Sequence, residues 1–180
     1  EHITAVFFDL DGTLVDSVPQ LHLAVDAALQ GCGLPGVTLE QVKRWIGNGA
    51  DILLRRAIQR RYDLQGEMDE ALVTRVRQKF DERYLAGLDR DFTLFPGVLA
   101  TLQRLRSAGY RMAVVTNKPH PFVAPLLQEA GLMPLFDQLL GGDLLPQRKP
   151  DPAPLLHVCQ TQQVAPERSV MVGDSKNDVL

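Results

Sequence analysis

Cysteine is nearly missing from this chain: Cys32 and Cys159 are its only two in 180 residues. They lie far apart and outside any C-x-x-C or metal spacing, which excludes a disulfide framework and a thiolate metal centre and leaves reduced, buried thiols as the expectation. No uninterrupted run of about eighteen apolar residues occurs, so no membrane span is expected. A large excess of either charge is missing too. A formal net charge of −3 and a pI near 5.8 provide no basic footprint for nucleic acid. There is no internal repeat or low-complexity segment, and no basic n-region followed by an apolar h-region marks a secretory leader. The expectation is a cytoplasmic protein with small-molecule business and no nucleic-acid or membrane partner, monomeric or homodimeric. Because the chain opens on Glu1, a missing initiator Met or short leader is also expected.

What is present concentrates in residues 5–16, Ala5-Val6-Phe7-Phe8-Asp9-Leu10-Asp11-Gly12-Thr13-Leu14-Val15-Asp16. Four apolar residues read as a short buried strand. At its end stand two carboxylates one residue apart, and in an extended segment Asp9 and Asp11 project to the same side. Gly12 then permits a sharp bend without a Cβ penalty. Two crowded carboxylates repel unless a cation or a pKa shift relieves them. A Mg²⁺ site that takes one or two carboxylates and is completed by substrate phosphate meets that need.

The rest of the chain alternates strand and helix patterns, apart from one block. Ser17 and Gln20 have capping-box spacing before an apolar stripe at Leu21, Ala24, Val25, Ala28 and Leu29, which predicts a helix from about Val18 to Gln30. Thr38 and Gln41 predict a second capping box and a short helix to about Ile46. A third stripe uses Ala50, Leu53, Leu54, Ala57 and Ile58, with Arg55, Arg56, Arg60 and Arg61 as its solvated face; a fourth uses Leu72, Val76, Phe80 and Tyr84. Beyond Pro96-Gly97 comes a helix buried through Val98, Leu99, Leu102 and Leu105. Met112–Val115 is a strand covered on both faces. A helix follows the prolines at 119–125, a short strand covers Phe136 to Leu140, and Asp151-Pro152 opens a helix buried through Leu155, Leu156, Val158 and Cys159. Ser169–Val172 is a final strand.

Such alternation predicts an α/β fold, a doubly wound and mainly parallel Rossmann-like sheet. Residues 1–16 and 92–180 make its core, and a helical insertion at 17–91 follows strand one, placed to act as a lid. In such sheets ligands bind beyond the carboxyl ends of the strands. Each such end here carries a polar group: Asp9 and Asp11, then Thr116 and Asn117, then Lys149, then Asp174 and Asp178. A phosphate dianion can approach these carboxylates only if cations and donors outweigh them. That requirement assigns Lys149, Thr116 and the Asn117 amide to phosphate alongside Mg²⁺.

In order along the chain, D-x-D-x-T, a strand-end Thr, a Lys and G-D-x-x-x-D resemble the four motifs of the haloacid dehalogenase superfamily, over nearly the whole length. The resemblance implies a phosphatase with a helical cap. It makes Asp9 the nucleophile that forms an aspartyl-phosphate, Asp11 the acid and base, and Lys149 a catalytic cation, with Thr13 at the phosphate. It gives Mg²⁺ the Asp9 carboxylate, the Asp11 carbonyl and Asp174, with Asp178 orienting the shell. Within the superfamily the cap and Thr116-Asn117-Lys118-Pro119 are most similar to bacterial phosphoglycolate phosphatases, which implies hydrolysis of 2-phosphoglycolate. The stretch Lys43-Arg44-Trp45-Ile46-Gly47-Asn48-Gly49 is then a substrate loop, with Lys43 or Arg44 on the substrate carboxylate and Gly47 and Asn48 beside it. The same motifs leave open a phosphomutase handing the phosphoryl group to a sugar. A phosphonate hydrolase is disfavoured by Asp11, and a receiver-like or non-catalytic phosphate-binding module by the insertion and the intact motifs. Because the superfamily core continues beyond the fourth motif, a C-terminal part is expected to be missing.

Overall fold

The computed structural model describes residues 2–179. In chain order its elements are β1 (Ala5–Phe8), β2 (Val15–Asp16), α1 (Val18–Gln30), α2 (Leu39–Trp45), α3 (Ala50–Gln59), α4 (Glu70–Leu85), β3 (Thr93–Leu94), α5 (Val98–Ser107), β4 (Arg111–Val115), α6 (Val123–Glu129), β5 (Gln138–Leu140), α7 (Ala153–Gln162) and β6 (Ser169–Val172). They divide into two compact units, residues 1–16 with 93–180, and Ser17–Phe92.

The first unit holds a four-stranded parallel sheet in the order β5-β4-β1-β6. Every residue of β1 is buried, as is every residue of β4 after Arg111. Central strands covered on both faces read as unbroken apolar runs, which is why these two were visible in the sequence. One face packs Ala5, Phe7, Ala113, Val115 and Leu140 against Val158 and Cys159 of α7. On the other, Phe8 meets Phe136 edge-on at 6.2 Å. At the sheet edge β6 leaves Val170 and Val172 41% and 38% exposed. Depth of burial does not follow from spacing alone. Leu99 and Leu156, both expected on buried faces, are exposed, and α5 buries only Leu102.

The second unit is four helices. Ala24, Val25, Ala28 and Leu29 of α1 are buried, as are Val73, Val76, Phe80 and Tyr84 of α4, the helix it packs on. Thr38 and Gln41 form the capping box. Ser17 and Gln20 do not. Instead the buried Gln20 side chain donates to the carbonyls of Gly87 and Arg90 at 2.8 and 2.9 Å. Those two carbonyls beyond α4 take the donors of a buried side chain that needs partners of its own.

Arg56 is likewise not on a solvated face. It is buried, its guanidinium donating to Trp45 O (2.7 Å), Asn48 Oδ1 (3.1 Å) and Tyr62 O (2.8 Å), and it lies 4.1 Å from the centroid of the Tyr62 ring. A planar guanidinium holds its five donors in a fixed fork, a geometry that the compact ammonium of a lysine does not reproduce. Arg56→Met removes all three hydrogen bonds and leaves one acceptor, Trp45 O, buried without this donor. With roughly 1–3 kcal/mol lost for that orphaned group, the unfolding midpoint is expected to drop by about 2–12 °C, and Arg56→Lys to recover only part; calorimetry of the two variants checks this.

Candidate active site

The loop leaving β1 is built by its own sequence. Asp9 N–H donates to Val172 O of β6 at 2.9 Å, while Leu14 and Val15 N–H both return to Leu10 O at 3.0 and 3.1 Å. Leu10 and Leu14 are buried and anchor the turn. Gly12 has φ +88°, and a Cβ there would sit 2.3 Å from the Asp174 carboxylate. Only glycine lets the loop approach Asp174, beyond β6, so closely. Thr13 Oγ1 donates to Asp174 Oδ1 at 3.0 Å, a second tie between the two loops.

Beyond β4, Thr116 N–H donates to Leu140 O at 3.0 Å and its hydroxyl accepts from Lys118 N–H at 3.2 Å. The Asn117 amide donates to Lys149 O at 3.0 Å, joining this loop to the one carrying the lysine. Gly142 lies flat against the same loop, since a Cβ there would be 2.5 Å from Asn117 O.

Lys149 is 3% exposed, with Nζ 2.6 Å from Asp178 Oδ1 and 3.2 Å from Asp9 Oδ1. Asp178 is held from its other oxygen by Ser175 N–H and Oγ–H at 3.0 and 2.9 Å. Carboxylate oxygens of Asp9, Asp174 and Asp178 lie within 4.8 Å of one another. Three hard oxygen donors at that spacing, one of them exposed, suit Mg²⁺, which keeps open positions for water and phosphate.

Asp11 parts company with Asp9. Its carboxylate is outside that cluster and pairs through both oxygens with Lys118 Nζ, at 3.0 and 3.1 Å. Lys118 is the group the motif reading passes over, although it stands two residues beyond Thr116. The signal was electrostatic: two adjacent carboxylates and one assigned lysine leave a charge that a second cation must balance.

Four carboxylates against two ammonium groups leave the rim negative. Asp9 records the strain. Burial, with the neighbouring Asp178 and Asp11 charges, pushes its carboxyl up to about 6 from 3.8, against the pull of Lys149 and the Leu10 N–H.

Four of the residues singled out in the sequence, Lys43, Arg44, Gly47 and Asn48, lie in the helical unit. Arg44 lines a cleft of about 510 Å³ with Gln41, Trp45, Arg60 and Tyr62. Lys43, about 100° round α2 from Arg44, is not among the residues that line this cleft. Gly47 is exposed with φ +107°, and Asn48 Oδ1 is taken by Arg56.

A parallel α/β sheet with acids and two lysines gathered from four separate segments of one unit is the arrangement of a phosphoryl-handling hydrolase. The family model for haloacid dehalogenase-like hydrolases matches residues 3–180, and the chain belongs to that family. The phosphoglycolate phosphatase of Aliivibrio fischeri is 45% identical over 179 residues, which are 99% of this chain and 79% of that protein. That of Vibrio parahaemolyticus is 43% identical over 180 residues, 100% and 79% of the two chains. The crystal structure of a predicted phosphoglycolate phosphatase from Haemophilus somnus superposes with a TM-score of 0.91 at 39% identity, covering 98% of this chain and 79% of that one. The chain is thus a phosphatase similar to these enzymes. Among the described residues no helix is long and apolar enough to cross a membrane.

Proposed function

We propose that the protein hydrolyses 2-phosphoglycolate to glycolate and phosphate through a phosphoaspartate on Asp9. The observation that carries this reading is the meeting of Asp9, Asp174, Asp178 and Lys149 in one cluster, and the choice of substrate is supported by the relatives that carry its name.

In the first step an Asp9 carboxylate oxygen attacks phosphorus, the bond from phosphorus to the ester oxygen breaks, and Asp11 gives its proton to the departing alkoxide. In the second, Asp11 takes a proton from water as that water attacks the phosphoaspartate, releasing phosphate and restoring Asp9. Lys149, the Thr116 hydroxyl and the Asn117 backbone amide balance the phosphoryl oxygens, the electrostatic term on which phosphoryl transfer depends. Asp9, Asp174, Asp178 and the Asp11 carbonyl would hold Mg²⁺, which supplies charge neutralisation at the phosphoryl group. Lys43, Arg44, Gly47 and Asn48 are the helical unit's candidates for substrate selection.

Phosphate release should be measured over a panel of small phosphomonoesters. Turnover is expected to be highest on 2-phosphoglycolate, lost in EDTA and restored by Mg²⁺. Release that persists unchanged in EDTA, or a product mixture of isomerised sugar phosphates without free phosphate, sinks the reading.

A further inference from the structure

We propose that Lys118 selects the substrate: it receives a carboxylate carried by the leaving group next to the ester oxygen, so that phosphorylated α-hydroxy acids are preferred over neutral phosphomonoesters. The inference rests on the reading of Asp11 as the acid that meets the ester oxygen.

Lys118 is placed with little freedom. Its N–H is held by the Thr116 hydroxyl, its carbonyl accepts from Gly142 N–H at 2.8 Å, and its side chain is 3% exposed. Nζ sits 3.0 and 3.1 Å from the two Asp11 oxygens. For Asp11 to protonate the leaving group, one of those oxygens must come within roughly 2.6–3.2 Å of the ester oxygen. The ammonium is therefore a single hydrogen-bond step beyond the ester oxygen, whereas Lys149 pairs with Asp9, the group that meets phosphorus, and with Asp178.

Substrate chemistry meets this arrangement. In a phosphorylated α-hydroxy acid only two carbons separate the ester oxygen from the carboxylate oxygens, which puts one of them roughly 3 Å from the ester oxygen. That is the distance at which an ammonium beside Asp11 can reach it. An ammonium carries three donors, so it can hold Asp11 and a substrate oxygen together. A neutral leaving group brings no anion to the same place. Because the side chain is buried, the ion pair forms out of bulk water, where it counts for more.

The test compares kcat/KM for 2-phosphoglycolate and for ethyl phosphate in the full chain, its Lys118→Met variant and its Lys118→Arg variant. The wild type is expected to prefer 2-phosphoglycolate. Lys118→Met should lose about 30-fold of that preference, the factor that a charge-assisted hydrogen bond of about 2 kcal/mol carries, with most of the loss in KM. Lys118→Arg should recover part of it. Glycolate should inhibit the wild type competitively and the Met variant far less. An equal loss on both esters overturns the assignment and leaves Lys118 as a group that only orients Asp11. Hydrolysis of ethyl phosphate but not of 2-phosphoglycolate by the wild type fails the substrate reading itself and this assignment with it.

Discussion

Asp9→Asn is expected to abolish turnover and, in the absence of metal, to make the protein more stable above pH 6. The first half follows from the attacking oxygen: an amide does not displace an alkoxide from phosphorus, and a fall of at least about 10⁴-fold in kcat is expected. The second half follows from where the carboxylate lies. Its pKa is raised to about 6 in the folded protein, against 3.8 when exposed. Between these values the folded state keeps a proton that the unfolded chain gives up, so stability falls as pH rises through the window, and the cost is complete above pH 6. Two units correspond to about 3 kcal/mol at most. Asparagine carries no charge to bury, and its carbonyl oxygen can still accept from the Leu10 N–H, which binds Asp9 at 2.7 Å. The unfolding midpoint of the variant in EDTA should therefore exceed that of the wild type at pH 7.5, with the gain shrinking as pH falls from 6 towards 4. Added Mg²⁺ should reverse the order, because it binds the folded wild type and not the unfolded chain. Substantial Mg²⁺-dependent hydrolysis by the variant removes Asp9 as nucleophile; a stability gain independent of pH removes the buried charge as its cause.

The same electrostatics marks how far the sequence alone could be read. Strand ends were legible because β1 and β4 are buried on both faces, so their apolar runs stop abruptly at Asp9 and at Thr116. Helix positions in the second unit were legible from stripes such as Ala24, Val25, Ala28 and Leu29. Pairings across the chain were not. Gln20 looked like half of a cap because the spacing fits, yet it serves carbonyls 67 and 70 residues away. Arg56 looked solvated because arginines usually are, and its burial depends on three acceptors that only the folded loops bring together. Lys118 carries no periodic signal at all, and its partner is 107 residues earlier. Local chemistry announces itself in one dimension; charge balance is settled in three.

Lys149→Met is expected to cost both catalysis and stability, and the two losses have separable signatures. For catalysis the variant lacks the cation facing the phosphoryl oxygens, and kcat/KM should fall about 10³-fold even in saturating Mg²⁺. For stability it strands two acids. Asp178 is fully buried and 2.6 Å from the lysine; Asp9 is 13% exposed and 3.2 Å away. Removing one partner from a buried ion pair costs roughly 3–5 kcal/mol, a drop of about 6–20 °C in the midpoint of a chain this size. Methionine preserves the apolar stem, so the deficit reports charge rather than volume. Its pH dependence has a defined sign. Lys149 pulls the Asp9 carboxyl down, so without it the folded pKa rises further above 6. A carboxyl that is harder to ionise in the folded state weakens the protein as pH rises through that interval, and leaves it unaffected below the unfolded value near 3.8. In EDTA the gap between wild type and variant should thus be wide at pH 8 and narrow towards pH 4.5. Mg²⁺ at pH 8 should close part of it, since a divalent ion can neutralise the same carboxylates. A deficit of the same size at every pH, untouched by Mg²⁺, would mean that Lys149 is a packing residue and that the acids do not depend on it.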